Sequence, residues 1–209
     1  MSNISSELVE RCDESVAGYA LLDHSFYRRW RLGTLPVEAL GSYAREYGSF
    51  TRQIGRGWEA AGKPEFGRVE DGHARVWDRT FSQALGAKSG DPRILQVREL
   101  LSVAQELFEK KSTAIGALYA IEAQQPEVAK AKIKGLEEHY RELPSSCSDY
   151  FRLHVDDYDE LSMLKKELTS LTNEEREEAA AACETMAKAL YDALTGVEEP
   201  FLAADRAVA

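Results

Sequence analysis

The sequence predicts an all-α protein built as a bundle of helices. Apolar residues recur at helical spacing along most of the chain, and no convincing run of four or more residues alternates as a half-buried strand would. Prolines lie at the candidate boundaries between the helical runs, several of them near Gly, Asp or Ser. They are Pro36, Pro64, Pro92, Pro126, Pro144 and Pro200. The pattern indicates helices joined by turns, in a single domain over residues 1–209.

The helices follow one another with little intervening loop. We expect them at about residues 6–22, 25–31, 36–61, 65–85, 92–124, 126–141, 147–167 and 172–196. His24 lies just before the second helix, where we expect it to serve as a turn residue or as the helix cap. Gly33 helps to end that helix. Asp91 is expected to cap the helix that begins at Pro92. The tail after Gly196 loses helical period, and we expect residues 197–209 to be poorly ordered.

Composition excludes several classes of function. The chain has 209 residues, 36 acidic against 26 basic side chains and a formal charge of −10, so it offers no general basic surface to nucleic acid or anionic membrane. No apolar stretch approaches the roughly 20 residues that span a bilayer, and the first residues lack the layout of a signal peptide. The three cysteines form no CxxC pattern and read as reduced thiols. We expect a soluble, cytoplasmic protein that acts on a small molecule.

One carboxylate stands on an otherwise apolar helical face. Ile115, Leu118, Tyr119 and Glu122 share that face, within a run from Ala114 that carries no other charge. Burying a carboxylate costs several kcal/mol unless a cation, a hydrogen-bond network, a captured proton or a metal ion answers its charge. Glu122 is therefore the first candidate functional residue.

Histidine positions add candidates on two other helices. Glu70 and His73 have the Glu-x-x-His spacing by which helical bundles present two ligands to one metal ion, although a surface ion pair or a core histidine also fits. His154 shares an apolar face with Phe151, Tyr158 and Leu161, where a neutral structural histidine is the alternative. The acidic residues near His154 are interpreted as a solvated helical face. Asp157, three residues after His154, is the one that could turn inward. The acidic neighbours are Asp156, Asp157, Asp159 and Glu160.

These helices together favour a transition-metal site. Two imidazoles with one or two carboxylates suit non-haem iron or a similar metal, and a divalent cation would keep Glu122 ionised. Four tyrosines have spacings that reach a central cavity: Tyr27, Tyr43, Tyr47 and Tyr119. The sequence has no phosphate-binding glycine loop, no Gly-x-Ser-x-Gly elbow and no locally paired Cys and His, so nucleophilic hydrolysis has little support.

Longer segments resemble a known family. The segments around His24–Pro36, Gly72–Trp77, Leu118–Pro126, Lys134–Tyr140 and Tyr150–His154 are similar to the haem-oxygenase-like superfamily of TenA-type thiaminases and the quinone-cofactor synthase PqqC. They are most similar to its diiron oxidases, the branch of the Chlamydia protein associating with death domains. The resemblance covers residues 15–165. It implies a compact bundle of seven or eight helices around a central cavity, a homodimer, and iron with dioxygen acting on a small substrate.

The resemblance also implies roles for individual residues. His73, Glu122 and His154 match the family's ligands, and Glu70 stands in for its first Glu. The family's Asp and final His fall at Tyr158 and Leu161, so the ligands of a second metal are missing and one iron is expected rather than two. Around that ion we assign catalytic roles to Glu122, Tyr27 and Tyr43, and substrate contacts to Tyr47, Tyr119 and Tyr158.

The resulting hypothesis is an iron-dependent oxidoreductase, or oxygenase, with a reduced form of the family's site. The alternatives are a metal-free enzyme of the PqqC or TenA kind and a non-catalytic binding or interaction protein with a degenerate site. No cysteine matches the one that a TenA-type thiaminase needs, which disfavours thiamin hydrolysis.

Overall fold

The structure, a computed structural model, is all-α, as the sequence predicts. It describes residues 2–88 and 90–208, with side chains at 7–88 and 90–202. The α-helices in chain order are α1 (Ser2–Gly18), α2 (Ser25–Leu32), α3 (Val37–Ala60), α4 (Pro64–Trp77), α5 (Leu95–Leu107), α6 (Lys111–Glu122), α7 (Gln125–His139), α8 (Asp149–Arg152), α9 (Tyr158–Ser170) and α10 (Asn173–Val208). Short 3₁₀ turns precede α2 and α8, and a π-helical turn at Asp78–Ser82 extends α4.

Helix α6 is the central element of the bundle. It packs against α10, α9, α3 and α5, and its residues from Ala114 to Glu122 are all buried. Gly116 allows the closest approach, because a Cβ atom there would lie 2.0 Å from the carbonyl oxygen of Ala179 on α10. The apolar run that drew attention to Glu122 is therefore a helix surrounded by other helices, and its carboxylate points into the protein interior.

A dense set of aromatic rings fills the other half of the interior. Trp30 of α2 stacks on Phe81 at a centroid separation of 5.9 Å, and Trp77 of α4 meets Tyr150 and Phe151 edge to face at 4.8 and 5.9 Å. Such pairs add about 0.5–1.5 kcal/mol each beyond burial. This packing fixes α2, α4 and α8 relative to one another. It therefore also fixes the positions of the side chains that these helices direct into the interior.

The structure corrects three predicted helix boundaries. The predicted helix at 92–124 is interrupted at residues 108–110, between α5 and α6. The predicted helix at 147–167 is broken by a turn at residues 153–157, between α8 and α9. The last helix does not end near residue 196 but continues to Val208 with Pro200 inside it. The side chains of residues 203–209 and the backbone of Ala209 lie outside the described part of the chain.

Two predicted caps have opposite outcomes. His24 caps α2, where its Nδ1 accepts a hydrogen bond of 3.0 Å from the backbone N–H of Phe26, and Gly33 ends that helix with φ +65°. Asp91 does not cap α5, because that helix begins at Leu95 with Ile94 at the N-cap. Just before it, the buried Glu46 carboxylate accepts the N–H groups of Arg93 and Ile94 at 2.8 and 3.1 Å. No helix of the described chain combines the length and apolar character needed to cross a membrane.

Candidate metal centre

Three of the residues predicted as ligands converge in the interior. Glu70 and His73 on α4 and His154 at the end of α8 offer ligand atoms that all lie within 4.8 Å of one another. The two imidazole rings meet edge to face with their centroids 4.7 Å apart. Glu70 and His154 are buried, and the His73 side chain is 15% exposed. The spacing of Glu70 and His73 on one helix and the turn after α8 thus bring a carboxylate and two imidazoles to one place.

Each imidazole is oriented by a carboxylate through its Nδ1 atom. His73 Nδ1 lies 2.9 Å from Glu70 Oε1, and His154 Nδ1 lies 2.8 Å from Asp157 Oδ2. Burial lowers the pKa of His73, but the hydrogen bond and charge of Glu70 outweigh burial and leave that pKa raised. A histidine held in this way at one nitrogen presents the other to a metal ion with a fixed ring orientation.

Glu122 and Glu160 bring two further carboxyl groups to the centre. Burial raises the pKa of Glu122 well above its ordinary value, and the charges of Glu160, Glu70 and Asp157 raise it further. Burial and the charge of Glu70 raise the pKa of Glu160 to about 8. The two groups lie close enough to share a hydrogen bond, so without a cation they hold a proton at neutral pH.

Two buried ligand atoms have no hydrogen-bond partner among the described residues: His154 Nε2 and Glu160 Oε2. An unpaired buried polar atom costs about 1–3 kcal/mol. Several carboxylates packed around two imidazoles also repel one another. A bound divalent cation would reduce this repulsion and would also give the two unpaired atoms a partner. The donor set of imidazole nitrogens and carboxylate oxygens therefore fits an iron ion.

Beside these donors lies a buried amine surrounded by aromatic rings. Lys132 of α7 donates a hydrogen bond of 2.8 Å to the Tyr43 hydroxyl, which lies 3.0 Å from the hydroxyl of Tyr27. The Nζ atom lies 4.9–5.8 Å from the ring centroids of Tyr27, Tyr43, Tyr47 and Phe151. Burial lowers the pKa of Lys132 to about 7 and raises the pKa of Tyr27 and Tyr43 well above the ordinary value. We call Lys132, Tyr27, Tyr43 and Tyr47 the lysine–tyrosine cluster.

The two groups of side chains are neighbours. The charge of Glu122 contributes to a raised pKa of Tyr47, after burial. Tyr150 bridges them, since its ring lies 4.8 Å from that of His154 and 4.8 Å from that of Trp77, which in turn lies 5.6 Å from Tyr43. The structure therefore brings the predicted tyrosines 27, 43 and 47 alongside the predicted metal ligands.

Two predicted site residues lie elsewhere. Tyr119 is buried, but its hydroxyl donates a hydrogen bond of 2.6 Å to Asp13 of α1. Tyr158 is 46% exposed, and its hydroxyl bonds Lys130 and Glu127 on the surface of α7. The structure thus does not bring these two tyrosines to the centre as the predicted substrate contacts would require.

Sequence reasoning missed Glu160 and Lys132. Glu160, expected on a solvated acidic face, is 7% exposed, because the turn at 153–157 changes which side of α9 faces inward. Asp157, with its side chain 24% exposed, does turn inward to His154. A signal for Lys132 was present: it shares a helical face with the buried Val128, Ala129 and Leu136.

Comparison with known structures places the fold in the haem-oxygenase-like class. A protein from Shewanella denitrificans described as having a heme oxygenase-like fold superimposes with a TM-score of 0.72 at 14% identity, covering 96% of this chain and 93% of that one. A TenA homologue from P. horikoshii superimposes with a TM-score of 0.71 at 13% identity, over 93% and 97% of the two chains. These similarities confirm the predicted haem-oxygenase-like fold and its helical architecture.

Sequence comparison then identifies the family. Residues 58–193 match the family model described as "Iron-containing redox enzyme", and the chain belongs to that family. The 4-aminobenzoate synthase of Chlamydia pneumoniae is 27% identical over 203 aligned residues, which cover 82% of this chain and 85% of the relative. The protein is therefore an oxidoreductase by family, with a helical fold that surrounds a cluster of side chains that could hold a metal ion.

Proposed function

We propose that this protein is an iron-dependent oxidoreductase that uses dioxygen on a small aromatic substrate, in the manner of a 4-aminobenzoate synthase. The observation that carries the proposal is the unpaired pair of buried ligand atoms, His154 Nε2 and Glu160 Oε2, beside a carboxyl group whose pKa is strongly raised. The named activity of the Chlamydia relative supports the aromatic substrate class.

The ligands would come from four helical segments. Glu70, His73 and His154 would hold an ion, and Glu122 with Glu160 would add two carboxylates beside it. Glu160 adds a carboxyl group next to Glu122 that the resemblance did not supply. Iron, when bound, supplies one-electron redox chemistry toward dioxygen.

The surrounding side chains manage protons and exclude water. The proton between Glu122 and Glu160 has to leave before both can serve as ligands, so metal binding releases it. Lys132 has a pKa of about 7 and can hold or release a proton at Nζ near neutrality, while the Tyr27 and Tyr43 hydroxyls keep theirs. The rings of Tyr150, Trp77 and Phe151 close the interior between the two groups.

The experiment is a single-turnover assay on protein loaded with ferrous iron without air. After mixing with dioxygen, we expect oxygen consumption at an electrode and oxidation of the bound ferrous iron, followed by its visible absorption. Glu122→Gln should abolish both, and Glu109→Gln, which changes an exposed glutamate of the same charge, should not. Oxygen consumption no faster than that of the iron-free protein would refute the proposal.

The alternative function is a metal-free enzyme or binding protein of the same fold. It predicts that the Glu122→Gln variant keeps its activity or ligand affinity. That activity or affinity would depend on Lys132 and would not require iron. The homodimer and the cytoplasmic location stay predictions, for which size-exclusion chromatography with light scattering and cell fractionation are the direct measurements.

A further inference from the structure

Helix α9 begins without the side-chain cap that usually stabilises a first turn. Asp157 occupies the N-cap position, but its side chain makes no hydrogen bond to the helix and instead contacts His154 Nδ1 at 2.8 Å. The carboxylate that would ordinarily cap the helix is thus committed to the metal centre. Another contact has to hold the start of α9 in place.

Tyr158, the first residue of α9, makes that contact on the outer surface. Its hydroxyl receives a hydrogen bond of 2.7 Å from Lys130 Nζ and donates one of 3.0 Å to Glu127 Oε1. Lys130 also bonds Glu127 at 2.8 Å and lies 5.2 Å from the centroid of the Tyr158 ring. We call Tyr158, Lys130 and Glu127 the surface latch.

The latch determines how the first turn of α9 is rotated. Residues two positions apart on a helix point about 200° apart, so Tyr158 held outward places Glu160 inward. Glu160 is accordingly buried, with Oε2 unpaired beside Glu122. The rest of α9 is held by other contacts: Leu164 and Leu168 are buried in the core, and Glu167 bonds Lys63 at 2.8 Å.

We propose that the surface latch is a positioning device that keeps Glu160 and Asp157 directed at the metal centre. Tyr158 therefore acts from outside the site, through the rotation of α9, and touches neither the substrate nor the metal. This inference rests on the proposed metal site for its purpose, but the contact itself can be tested without metal.

The first test is hydrogen–deuterium exchange of the metal-free protein. Tyr158→Phe removes one hydroxyl, and Lys130→Met removes its donor. Each should speed amide exchange in peptides covering residues 154–161 roughly fivefold, with little change at 163–170. Lys134→Met is the matched control, since Lys134 lies one turn further along α7, is 73% exposed and approaches Glu138 only at 3.9 Å. Exchange as slow as in the wild type in both latch variants overturns the proposal.

The second test is a titration with Co²⁺, followed by its visible absorption. Tyr158→Phe and Lys130→Met should weaken Co²⁺ binding roughly five- to tenfold, and Lys130→Arg, which keeps a donor, should restore most of it. Faster exchange with unchanged Co²⁺ affinity overturns the positioning role. If the latch variants exchange faster but the wild-type protein takes up no Co²⁺, the latch is supported and the metal function is refuted. Failure of the latch proposal and failure of the proposed metal function are therefore distinguishable.

Discussion

The proposed metal-ligand cluster (Glu70, His73, Glu122, His154 and Glu160) and the lysine–tyrosine cluster are two neighbouring groups of buried ionisable side chains with opposite electrostatics. The first gathers carboxyl groups around two imidazoles and leaves His154 Nε2 and Glu160 Oε2 without partners among the described residues. The second holds one amine, whose Nζ is bonded to Tyr43 and faces aromatic rings. The difference shows that burial lowers the pKa of Lys132 to about 7, whereas the carboxylate-rich cluster calls for an added cation.

The strongest way to sharpen this contrast is the pH dependence of stability in metal-free protein. Glu160 has a folded pKa of about 8, raised from 4.5, so its contribution to stability is complete below pH 4.5 and is lost as pH rises to 8. A shift of that size corresponds at most to on the order of 5 kcal/mol. Urea unfolding from pH 5 to pH 9 measures it.

The controls for that experiment lie on the same helix. Glu160→Gln should reduce the loss of stability between pH 5 and 8, because the amide does not titrate, and Glu122 accounts for the loss that remains. Asp159→Asn changes an adjacent exposed carboxylate and should leave the profile as in the wild type. A wild-type profile that is already flat over this range would show that Glu160 is not held protonated in the folded protein.

Lys132→Met probes the other cluster and has the opposite sign. The folded pKa of Lys132 is lowered from 10.5 to about 7, so its full contribution exists above pH 10.5 and is lost as pH falls to 7. At pH 6 the buried amine therefore destabilises the protein, and methionine should raise the free energy of unfolding by about 3 kcal/mol, after allowance for the lost bond to Tyr43.

The same urea titration checks this prediction, with Lys134→Met as the exposed control on α7. The gain should shrink toward pH 10. A loss of stability at pH 6 would mean that Lys132 is paired or solvated in the folded protein, and the contrast between the clusters would fail.

Glu122→Gln distinguishes a role of Glu122 as a metal ligand from a role in core packing. We expect iron affinity to fall more than about a hundredfold, since a ligand is lost and second-shell changes alone cost 10- to 100-fold. Metal-free stability should hold or rise, because the amide can keep a hydrogen bond to Glu160 and cannot ionise in the buried site. Iron competition with a chelator and thermal unfolding give the two numbers. Reduced stability with unchanged iron affinity would assign Glu122 a structural role.

Asp157→Asn is expected to have the smallest effect on the metal cluster. The amide keeps a contact with His154 Nδ1 but loses the charge that holds the imidazole tautomer. Iron affinity should fall about tenfold, with Asp156→Asn at the exposed neighbouring position as control. Equal affinities for the two variants would contradict an orienting role for Asp157.

Most of the fold could be predicted from local sequence. Helical periodicity and prolines define most of the helices, and the spacing of Glu70 and His73 places both on one face of α4. The break at 108–110 could not be predicted, since Phe108, Glu109 and Lys110 include neither Gly nor Pro.

The sequence could predict site residues only where their positions depend on spacing within a single helix. Glu160 depends on how α9 restarts after the turn at 153–157, which local spacing does not specify. Lys132 becomes an unusual amine only when rings from α2, α3 and α8 enclose it. Tyr119 and Tyr158 have suitable spacing, but tertiary contacts with Asp13 and Lys130 direct their hydroxyls away from the centre.

The most direct test of the metal site is diffraction from crystals of the iron-loaded protein at the iron absorption edge. The proposed site predicts an anomalous peak among Glu70, His73 and His154, beside Glu122 and Glu160, with His154 Nε2 directed at it. The same crystals grown from Glu122→Gln protein should show a weaker peak or none. A well-ordered wild-type structure with no anomalous density among these side chains would contradict the central claim that they form an iron site.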